Sequence, residues 1–333
     1  MAVLKLRGAV KARIAAAALI AGSVLVGASA QAADDLRVRF SWKNKGEYGH
    51  MYFADAKGIY KKHGLNVRMG EGAGSQAALG ALIQGQEDVV IMPAIFALSA
   101  IQAGMPVRII AIHHPRTPVV LISHPEKPIA KPSDLEGKTV AHAVGETGTS
   151  YLDTFCKINK VDCSKVRRVT MNAQARVQSF LEGKVDTVSV YRTNDLPIVE
   201  QRTKKEFPVL DLAEHGLIAP GLSVVAADSK IKSNPDVLKR YLAALGEAIK
   251  ATKADPAAAA QAMKDAWPGG PDVKIIEAQV KATMDAVPER EGKPIGWIDE
   301  AELKAALELV ATEEKFGKPK APSAYYTNEL LSR

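Results

Sequence analysis

The sequence contains little cysteine and few aromatic residues for its length of 333 residues. Its two cysteines are too few for a cysteine-rich zinc module, and aromatic side chains make up 5% of the chain. The metalloprotease HExxH, hydrolase GxSxG and nucleotide-binding Walker A patterns are absent. Hydrophobic residues make up 47% and charged residues 24%, which is enough apolar material for a globular core. The composition therefore excludes a disordered chain, a coiled coil and a disulfide-dense miniprotein.

The net charge of +7 comes largely from the N-terminus. Lys5, Arg7, Lys11 and Arg13 precede the first acidic residue, Asp34, so the chain without them carries 40 basic and 37 acidic residues, or +3. Binding of nucleic acid requires a clustered basic face, and this distribution gives no evidence of one. We therefore expect no nucleic-acid partner.

Residues 1–33 have the order of a secretory signal peptide. A basic segment is followed by the uncharged, largely apolar residues 14–27 and then by small residues that suit cleavage. We expect the mature chain to begin between Gln31 and Asp34 and the protein to be periplasmic. The alternative is a membrane anchor, but a spanning helix needs about 20 apolar residues, and this run is interrupted at Ser29 and Gln31.

Export changes the interpretation of the cysteines. In an oxidising compartment, Cys156 and Cys163 are expected to form a disulfide, worth about 2–3 kcal/mol on loop-entropy grounds. A CxxC redox site is the wrong interpretation because six residues separate the two cysteines. Two buried thiols are the remaining alternative.

Strand and helix patterns alternate along the chain in two successive series. Strands are predicted over residues 36–42, 65–69, 88–92, 107–112, 119–123, 138–143, 166–171, 185–191 and 222–227. Helices are predicted over residues 48–63, 75–84, 93–104, 149–159, 173–182, from 194, and over 235–253, 256–267, 273–286 and 299–316. Such alternation predicts two α/β lobes, each with a parallel sheet covered by helices. Extended crossings near Val119 and Leu222 divide the chain into lobe I (34–121), lobe II (122–222) and a mostly helical return to lobe I (223–333).

The first candidate binding residues lie on two glycine-rich loops, because ligands of open parallel sheets bind beyond the carboxyl ends of the strands. Both loops precede a predicted helix, so their backbone N–H groups can face an anion or a polar ligand. A turn that requires positive φ, or simply a well-capped helix, is the alternative interpretation. The candidates are Gly72, Gly74, Ser75 and Gln76 on the first loop, and Gly145, Thr147, Gly148 and Thr149 on the second.

Aromatic residues at two strand ends suggest a sandwich for a planar ligand. Trp42 and Tyr191 are the proposed pair, although either could be a core residue. Arg192 would pair with a carboxylate, sulfonate or phosphate, or could simply be a solvated surface arginine. The remaining candidates are His50, Ala94, His113 and Asn194. Neighbouring His113 and His114 point to opposite faces of a strand, so we expect no metal site.

A series of short motifs in a fixed order extends over nearly all of the chain after residue 33. It begins with Trp42 and a segment over residues 48–67 that contains Lys57-Gly58-Ile59-Tyr60 and Gly64-Leu65-x-Val67. The later motifs are Gly85-x-x-Asp88, Ala103-Gly104-x-Pro106-Val107, Asp134-Leu135-x-Gly137-Lys138, Gly145-Glu146-x-Gly148, Gly183-Lys184-Val185-Asp186, Asn234-Pro235-x-Val237, Asp255-Pro256 and Tyr326-Thr327-Asn328-Glu329. Each motif is weak alone, but their common order resembles the NMT1/THI5-like solute-binding proteins of nitrate/taurine/pyrimidine-type ABC transporters.

The resemblance implies a type II periplasmic-binding-protein clamshell, with two lobes and a double crossover. It also implies a monomer that captures a small ligand by hinge closure and delivers it to an inner-membrane permease and its ATPase. A planar heteroaromatic such as a thiamin pyrimidine precursor is favoured as the ligand, while sulfonate, nitrate and aromatic carboxylate stay open.

The rival interpretation is an exported enzyme similar to the pyrimidine-precursor synthases of the same family. Those enzymes carry a cofactor-binding lysine and a reactive histidine after the third strand, and a cysteine-rich cluster later. Met92 and Phe96 stand at the matching positions here, and the chain has no cysteine cluster. The sequence therefore favours a transport receptor with no cofactor over an enzyme.

Overall fold

The computed structural model describes residues 33–143, 146–172, 175–311 and 316–331. The predicted signal peptide lies almost entirely outside the described residues, as does the candidate residue Gly145. No helix in the described part of the chain has both the length and the apolar content needed to span a bilayer.

Ten strands, thirteen α-helices and four short 3-10 helices are found in the described residues. The strands are β1 (Asp34–Phe40), β2 (Leu65–Gly70), β3 (Val89–Pro93), β4 (Val107–Ile112), β5 (Val119–Ser123), β6 (Thr139–His142), β7 (Arg167–Thr170), β8 (Thr187–Tyr191), β9 (Val209–Asp211) and β10 (Leu222–Ala227). The helices are α1 (Gly49–Ala56), α2 (Ile59–Lys62), α3 (Ser75–Ile83), α4 (Ala94–Gln102), α5 (Thr147–Ser150), α6 (Leu152–Asn159), α7 (Ala175–Leu181), α8 (Asp195–Thr203), α9 (Asp228–Ser233), α10 (Pro235–Ala254), α11 (Pro256–Ala266), α12 (Val273–Asp285) and α13 (Glu300–Val310).

Two five-stranded sheets organise these elements, which confirms the predicted α/β class. The sheet of lobe I has the order β2-β1-β3-β10-β4, and the sheet of lobe II has the order β7-β6-β8-β5-β9. The prediction of purely parallel sheets is wrong at two strands. β10 pairs antiparallel with β3 and β4, and β5 pairs antiparallel with β8 and β9. Both strands enter their sheet directly from the opposite lobe, without the crossover helix that a parallel entry requires.

The chain passes between the sheets twice, after β4 and after β9. The two crossing segments lie side by side, since Thr117 N donates to Ala219 O at 2.7 Å and Gly221 N donates to His114 O at 2.8 Å. This pair of crossing segments connects the two sheets. The division of the chain at residues 122 and 223 stays a prediction.

Two predicted helices are each divided in the structure. The helix predicted over 48–63 ends at Ala56 and resumes at Ile59, because Gly58 has a left-handed backbone with φ of 69°. The helix predicted over 149–159 forms α5 and α6, and Tyr151 lies between them with φ of −111°. Strand β9 and helix α9 are additional elements that the sequence patterns did not predict.

The apolar core continues from one lobe into the other. Ile95 and Leu98 on α4 belong to the same buried cluster as Leu152 and Phe155 on α6. The lobes are therefore packed against each other along one side of the molecule. On α6, Cys156 is joined to Cys163 by a disulfide with a Cα–Cα distance of 5.6 Å.

Candidate functional site

A small cavity lies between the lobes at the carboxyl ends of β1, β3 and β8. Its volume, counted as the space that the centres of water molecules can reach, is about 90 Å³. The sheet of lobe I and its loops contribute Ser41, Trp42, Lys45, Glu47, Tyr48, Ser75, Pro93, Phe96 and the first residue of β10, Leu222. The sheet of lobe II and its loops and helices contribute Glu146, Thr147, Arg176, Ser189, Val190, Tyr191 and Asp195. Because both lobes supply aromatic and charged side chains, the opposite walls of the cavity can contact one ligand at the same time.

A more open groove lies beside α4, where Ser99 and Gln102 face Ser150 and Tyr151. It offers about 360 Å³ to the centre of a water molecule, but none of its described lining residues is charged. The central cavity, in contrast, has five charged side chains. We therefore take the smaller central cavity as the candidate site.

The lobe I wall is built on the turn that follows β1. Lys45 Nζ lies 2.6 Å from Glu47 Oε2, and it also lies 4.5 Å from the centre of the Tyr191 ring and 5.4 Å from that of Tyr48. Burial disfavours the charged form of Lys45, but the Glu47 carboxylate together with Tyr48 and Tyr191 raises the pKa of Lys45 overall. Lys45 is therefore a cation that contacts the aromatic ring of the opposite lobe.

Gln279 on α12 fixes the position of this turn. Its Oε1 accepts from Gly46 N at 3.0 Å, and its Nε2 donates to Asn194 O of lobe II at 2.8 Å. A Cβ at Gly46 would lie 2.3 Å from the Cβ of Gln279, so the turn can approach α12 only with glycine at this position. Gln279 is fully buried and joins the two lobes directly.

The lobe II wall is built on the loop before α5. The Glu146 carboxylate accepts from Gly148 N at 2.7 Å and from Thr149 N at 3.0 Å. It also accepts from the hydroxyls of Thr149 and Ser189. A Cβ at Gly148 would lie 2.5 Å from Ser189 Cβ and 3.0 Å from Glu146 Oε1. Glycine at position 148 therefore allows the carboxylate and the Ser189 hydroxyl to meet.

Arg176 on α7 completes this network. Its Nη1 donates to both the carbonyl and the hydroxyl oxygen of Ser189 at 2.9 Å, and it lies 3.8 Å from Glu146 Oε2. Nearby, the hydroxyl groups of Thr147 and Tyr191 are 3.2 Å apart. The positive charge of Arg176 is thus held next to an internal carboxylate.

Three buried histidines lie behind the lobe I turn rather than in the cavity. The rings of His50 and His113 meet edge to face with centroids 6.1 Å apart, and His114 Nδ1 lies 3.7 Å from Glu47 Oε1. Burial lowers the pKa of all three, that of His113 to about 3. They are therefore neutral at pH 7. Among the described residues, no group of three histidine, cysteine or acidic side chains has an arrangement that would hold a metal ion.

The structure brings four of the predicted binding residues together in the cavity wall: Trp42, Ser75, Thr147 and Tyr191. Trp42 lies two residues beyond the end of β1 rather than within the strand. Gly148 and Thr149 lie one layer deeper, where they hold Glu146.

The other predicted residues lie outside the wall. Gly72 and Gly74 bond through their backbone N–H groups to the carbonyls of Trp42 and Ser41, and a Cβ at Gly72 would lie 2.0 Å from Phe40 O. These glycines therefore have a structural role in the turn after β2.

Four more side chains do not line the cavity. Gln76 is exposed, and Ala94 is buried with its N–H bonded to Gly221 O. Arg192 is exposed and forms an ion pair with Asp211 at 3.1 Å, because it follows β8 on the side away from the cavity. Asn194 is buried at the contact with Gln279, and its Oδ1 accepts from Glu47 N at 3.4 Å.

Several residues in the wall were not found by the sequence reasoning: Lys45, Glu47, Tyr48, Phe96, Glu146, Arg176, Ser189 and Asp195. Two of them had a usable signal. Glu146 lies in the second glycine-rich loop, and Asp195 is the first residue of the helix that follows β8. Arg176 had none, because its orientation depends on how α7 packs on the sheet.

Residues 46–259 match the sequence profile of a family described as NMT1/THI5 like. The sequence matches none of the curated protein sequences with which it was compared.

Solved structures with the same fold include binding proteins and an enzyme. A protein from Bordetella bronchiseptica RB50 is similar at 22% identity and a TM-score of 0.66, over 90% of this chain and 96% of that one. The periplasmic aliphatic sulphonate binding protein SsuA from Escherichia coli is similar at 17% identity and a TM-score of 0.68, over 89% of this chain and 98% of SsuA. The desulfurization enzyme DszB is similar at 14% identity and a TM-score of 0.61, over 90% of this chain and 97% of DszB.

Proposed function

Because the chain belongs to the NMT1/THI5-like family, we propose that it is the periplasmic ligand-binding component of an ABC importer. The observation that carries this proposal is the cavity between the lobes, whose walls come from both sheets. The ligand is a small planar heteroaromatic or anionic solute, held with Trp42 on one side and Tyr191 on the other. An SsuA protein of the same fold, named as a sulphonate binding protein, supports this class of function.

Capture of the ligand takes place by rotation of the lobes about the two crossing segments. Beside the cavity, polar contacts join the lobes: Lys45 lies over the Tyr191 ring, and Gln279 Nε2 donates to Asn194 O. A ligand that contacts both walls adds favourable free energy to the closed arrangement only, so binding shifts the protein toward closure. The closed form is then the one that the permease and its ATPase receive.

The residue types in the cavity favour binding over catalysis. Met92 is fully buried and Phe96 lies in the wall, at the positions where the resembling synthases carry lysine and histidine. Lys45 is the one lysine among the described wall residues, and its ammonium is held by Glu47 at 2.6 Å. Since the carboxylate raises the pKa of Lys45, this amine is a poor nucleophile for an imine.

Ligand retention tests the proposal. Protein purified without denaturation from the periplasm of its host cell is expected to carry one small molecule per chain in native mass spectrometry. After release, chromatography should show that the molecule returned by the protein is unchanged. The matched control is a Trp42→Ala protein purified in the same way, in which the occupancy should fall.

An exported enzyme with the same cleft is the second candidate, because DszB has the same fold. Conversion of the retained ligand to a product, or an imine absorbance when pyridoxal phosphate is added, would contradict the receptor function. Neither effect is expected.

A further inference from the structure

The backbone donors that an anion would need on the lobe II loop are already occupied by the Glu146 carboxylate. In lobe II, the N–H groups of Gly148 and Thr149 point at Glu146, at 2.7 and 3.0 Å. The Ser189 hydroxyl donates to the same carboxylate. An incoming sulfonate or carboxylate would have to compete with a covalently attached anion for these donors.

The two cations of the cavity are also paired internally. Arg176 Nη1 lies 3.8 Å from Glu146 Oε2 and bonds twice to Ser189, while Lys45 Nζ lies 2.6 Å from Glu47 Oε2. The exposed Arg192, which follows Tyr191 directly, is paired with Asp211 outside the wall. Each cation of the described wall therefore has a carboxylate within 4 Å, while Arg176 Nε is a buried donor without a hydrogen-bond partner in the described residues.

The formal charges of the wall sum to a negative value. Lys45 and Arg176 carry two positive charges, and Glu47, Glu146 and Asp195 carry three negative charges. Asp195 uses Oδ2 to accept from Tyr191 N at 3.0 Å, and its other oxygen has no hydrogen-bond partner within the described residues. That oxygen is an acceptor to which a ligand can donate.

We propose that Glu146 is a charge selector, which makes the cavity prefer planar ligands that are neutral or cationic and reject those that are anionic. This inference rests on the proposed function, since it assumes a planar ligand between Trp42 and Tyr191. Amino-substituted heteroaromatic rings are the chemical class that fits best, because their faces suit the aromatic walls and their N–H groups can donate to Asp195. Sulfonates, nitrate and aromatic carboxylates are the classes excluded.

The size of the effect follows from Coulomb's law. A unit charge about 6 Å away, at an effective dielectric constant of about 20–40, changes the affinity of a charged ligand about ten- to a hundredfold. A neutral ligand should hardly respond to the same change. The dependence on ligand charge therefore separates a charge selector from a residue that merely shapes the loop.

A matched series of planar probes tests the proposal. Benzoate, benzamide and benzamidinium have nearly the same shape and carry charges of −1, 0 and +1. Calorimetric titration of the wild-type protein should give benzoate at least tenfold weaker binding than benzamide or benzamidinium. In the Glu146→Gln variant, the affinity for benzoate should rise at least tenfold, and that for benzamide should change less than threefold.

Two further variants guard against a folding defect. Asp195→Asn removes a carboxylate from the wall without touching Gly148 or Thr149, and it should also raise the affinity for benzoate. Glu136→Gln removes the same charge from a surface ion pair with Lys165 and should leave all three affinities unchanged. Circular dichroism establishes the folding of each variant.

The outcomes distinguish the two proposals. The role of Glu146 is overturned if the wild-type protein binds benzoate as tightly as benzamide, or if the variants show no increase in affinity for benzoate. Either result would leave the planar-ligand receptor in place. If none of the three probes binds at millimolar concentration, the planar-ligand cavity itself is contradicted, and the charge selector with it.

Discussion

The ammonium group of Lys45 in lobe I lies 4.5 Å from the centre of the Tyr191 ring in lobe II. Glu47 holds the same ammonium at 2.6 Å, so the cation reaches the ring with its own counter-ion attached. The contact spans the cavity at the place where the sequence reasoning expected two aromatic residues to meet across a ligand. A charged pair from lobe I, as well as an aromatic face, therefore borders the cavity.

Removal of the lobe I aromatic face should weaken binding. Trp42→Ala deletes one of the two proposed stacking surfaces, which costs about 1–2 kcal/mol and corresponds to a five- to thirtyfold loss of affinity. The measurement is calorimetric titration with the retained ligand. Trp267→Ala, at the end of α11 and outside the cavity wall, is the control and should bind normally. Equal affinity of Trp42→Ala and wild type would place the ligand elsewhere.

Loss of the buried bridge at Gln279 should lower stability. Gln279→Leu leaves Gly46 N and Asn194 O without their partners, and each unsatisfied buried group costs about 1–3 kcal/mol. Urea unfolding should show the decrease as a lower midpoint with an unchanged slope. Gln76→Leu changes an exposed glutamine in the same way and should unfold like the wild type. A Gln279→Leu midpoint equal to that of the wild type would refute the bridge.

The disulfide should stabilise the fold without affecting the ligand. Replacing both Cys156 and Cys163 by serine removes the cross-link of an eight-residue segment, which is worth about 2–3 kcal/mol in the loop-entropy model. Ligand affinity should stay the same, because neither cysteine lies in the cavity wall. The checks are thiol titration of unreduced wild-type protein, urea unfolding and calorimetry. Two free thiols in that protein, or a changed affinity in the variant, would contradict this prediction.

Stability should fall as the pH decreases from 7 to 5. Burial lowers the folded-state pKa of His50, His113 and His114 below the unfolded value of about 6.5, that of His113 to about 3. Between the folded-state and the unfolded-state pKa, the unfolded state binds more protons than the folded state, so a lower pH favours unfolding. Each fully neutral histidine contributes a slope of about 1.4 kcal/mol per pH unit.

The variant His113→Phe tests the assignment of this slope. At pH 5.5 the variant should take up about one proton fewer than the wild type on unfolding. The number of protons is measured from the pH dependence of the free energy of urea unfolding. A His113→Phe slope equal to that of the wild type would show that this histidine titrates equally in the folded and unfolded states.

The elements of the fold followed from local patterns, but the strand directions did not. The bounds of β4, β5 and β10 agree with the predicted strands, because each is a largely apolar run with a single polar residue. The antiparallel pairing of β10 with β3 joins Ser223 to Met92, over a separation that no local pattern encodes. Local periodicity identifies a strand, whereas its direction depends on which lobe the chain comes from.

The candidate site shows the same limit. Trp42 and Tyr191 were predicted because each stands at the carboxyl end of a strand, one in each lobe, where ligands of parallel sheets bind. Arg192 was predicted from its position next to Tyr191. Side chains alternate along an extended segment, however, and the ion pair with Asp211 holds the Arg192 side chain outside the cavity. Arg176 reaches the cavity from α7, where only the packed structure reveals its direction.

The most direct test of the central claim is a crystal structure of the protein with the ligand that it retains. The account predicts electron density for one small molecule between Trp42 and Tyr191, with Glu146 still bonded to Gly148 and Thr149. Density in the open groove at Ser99 and Gln102, with the central cavity filled only by water, would contradict it.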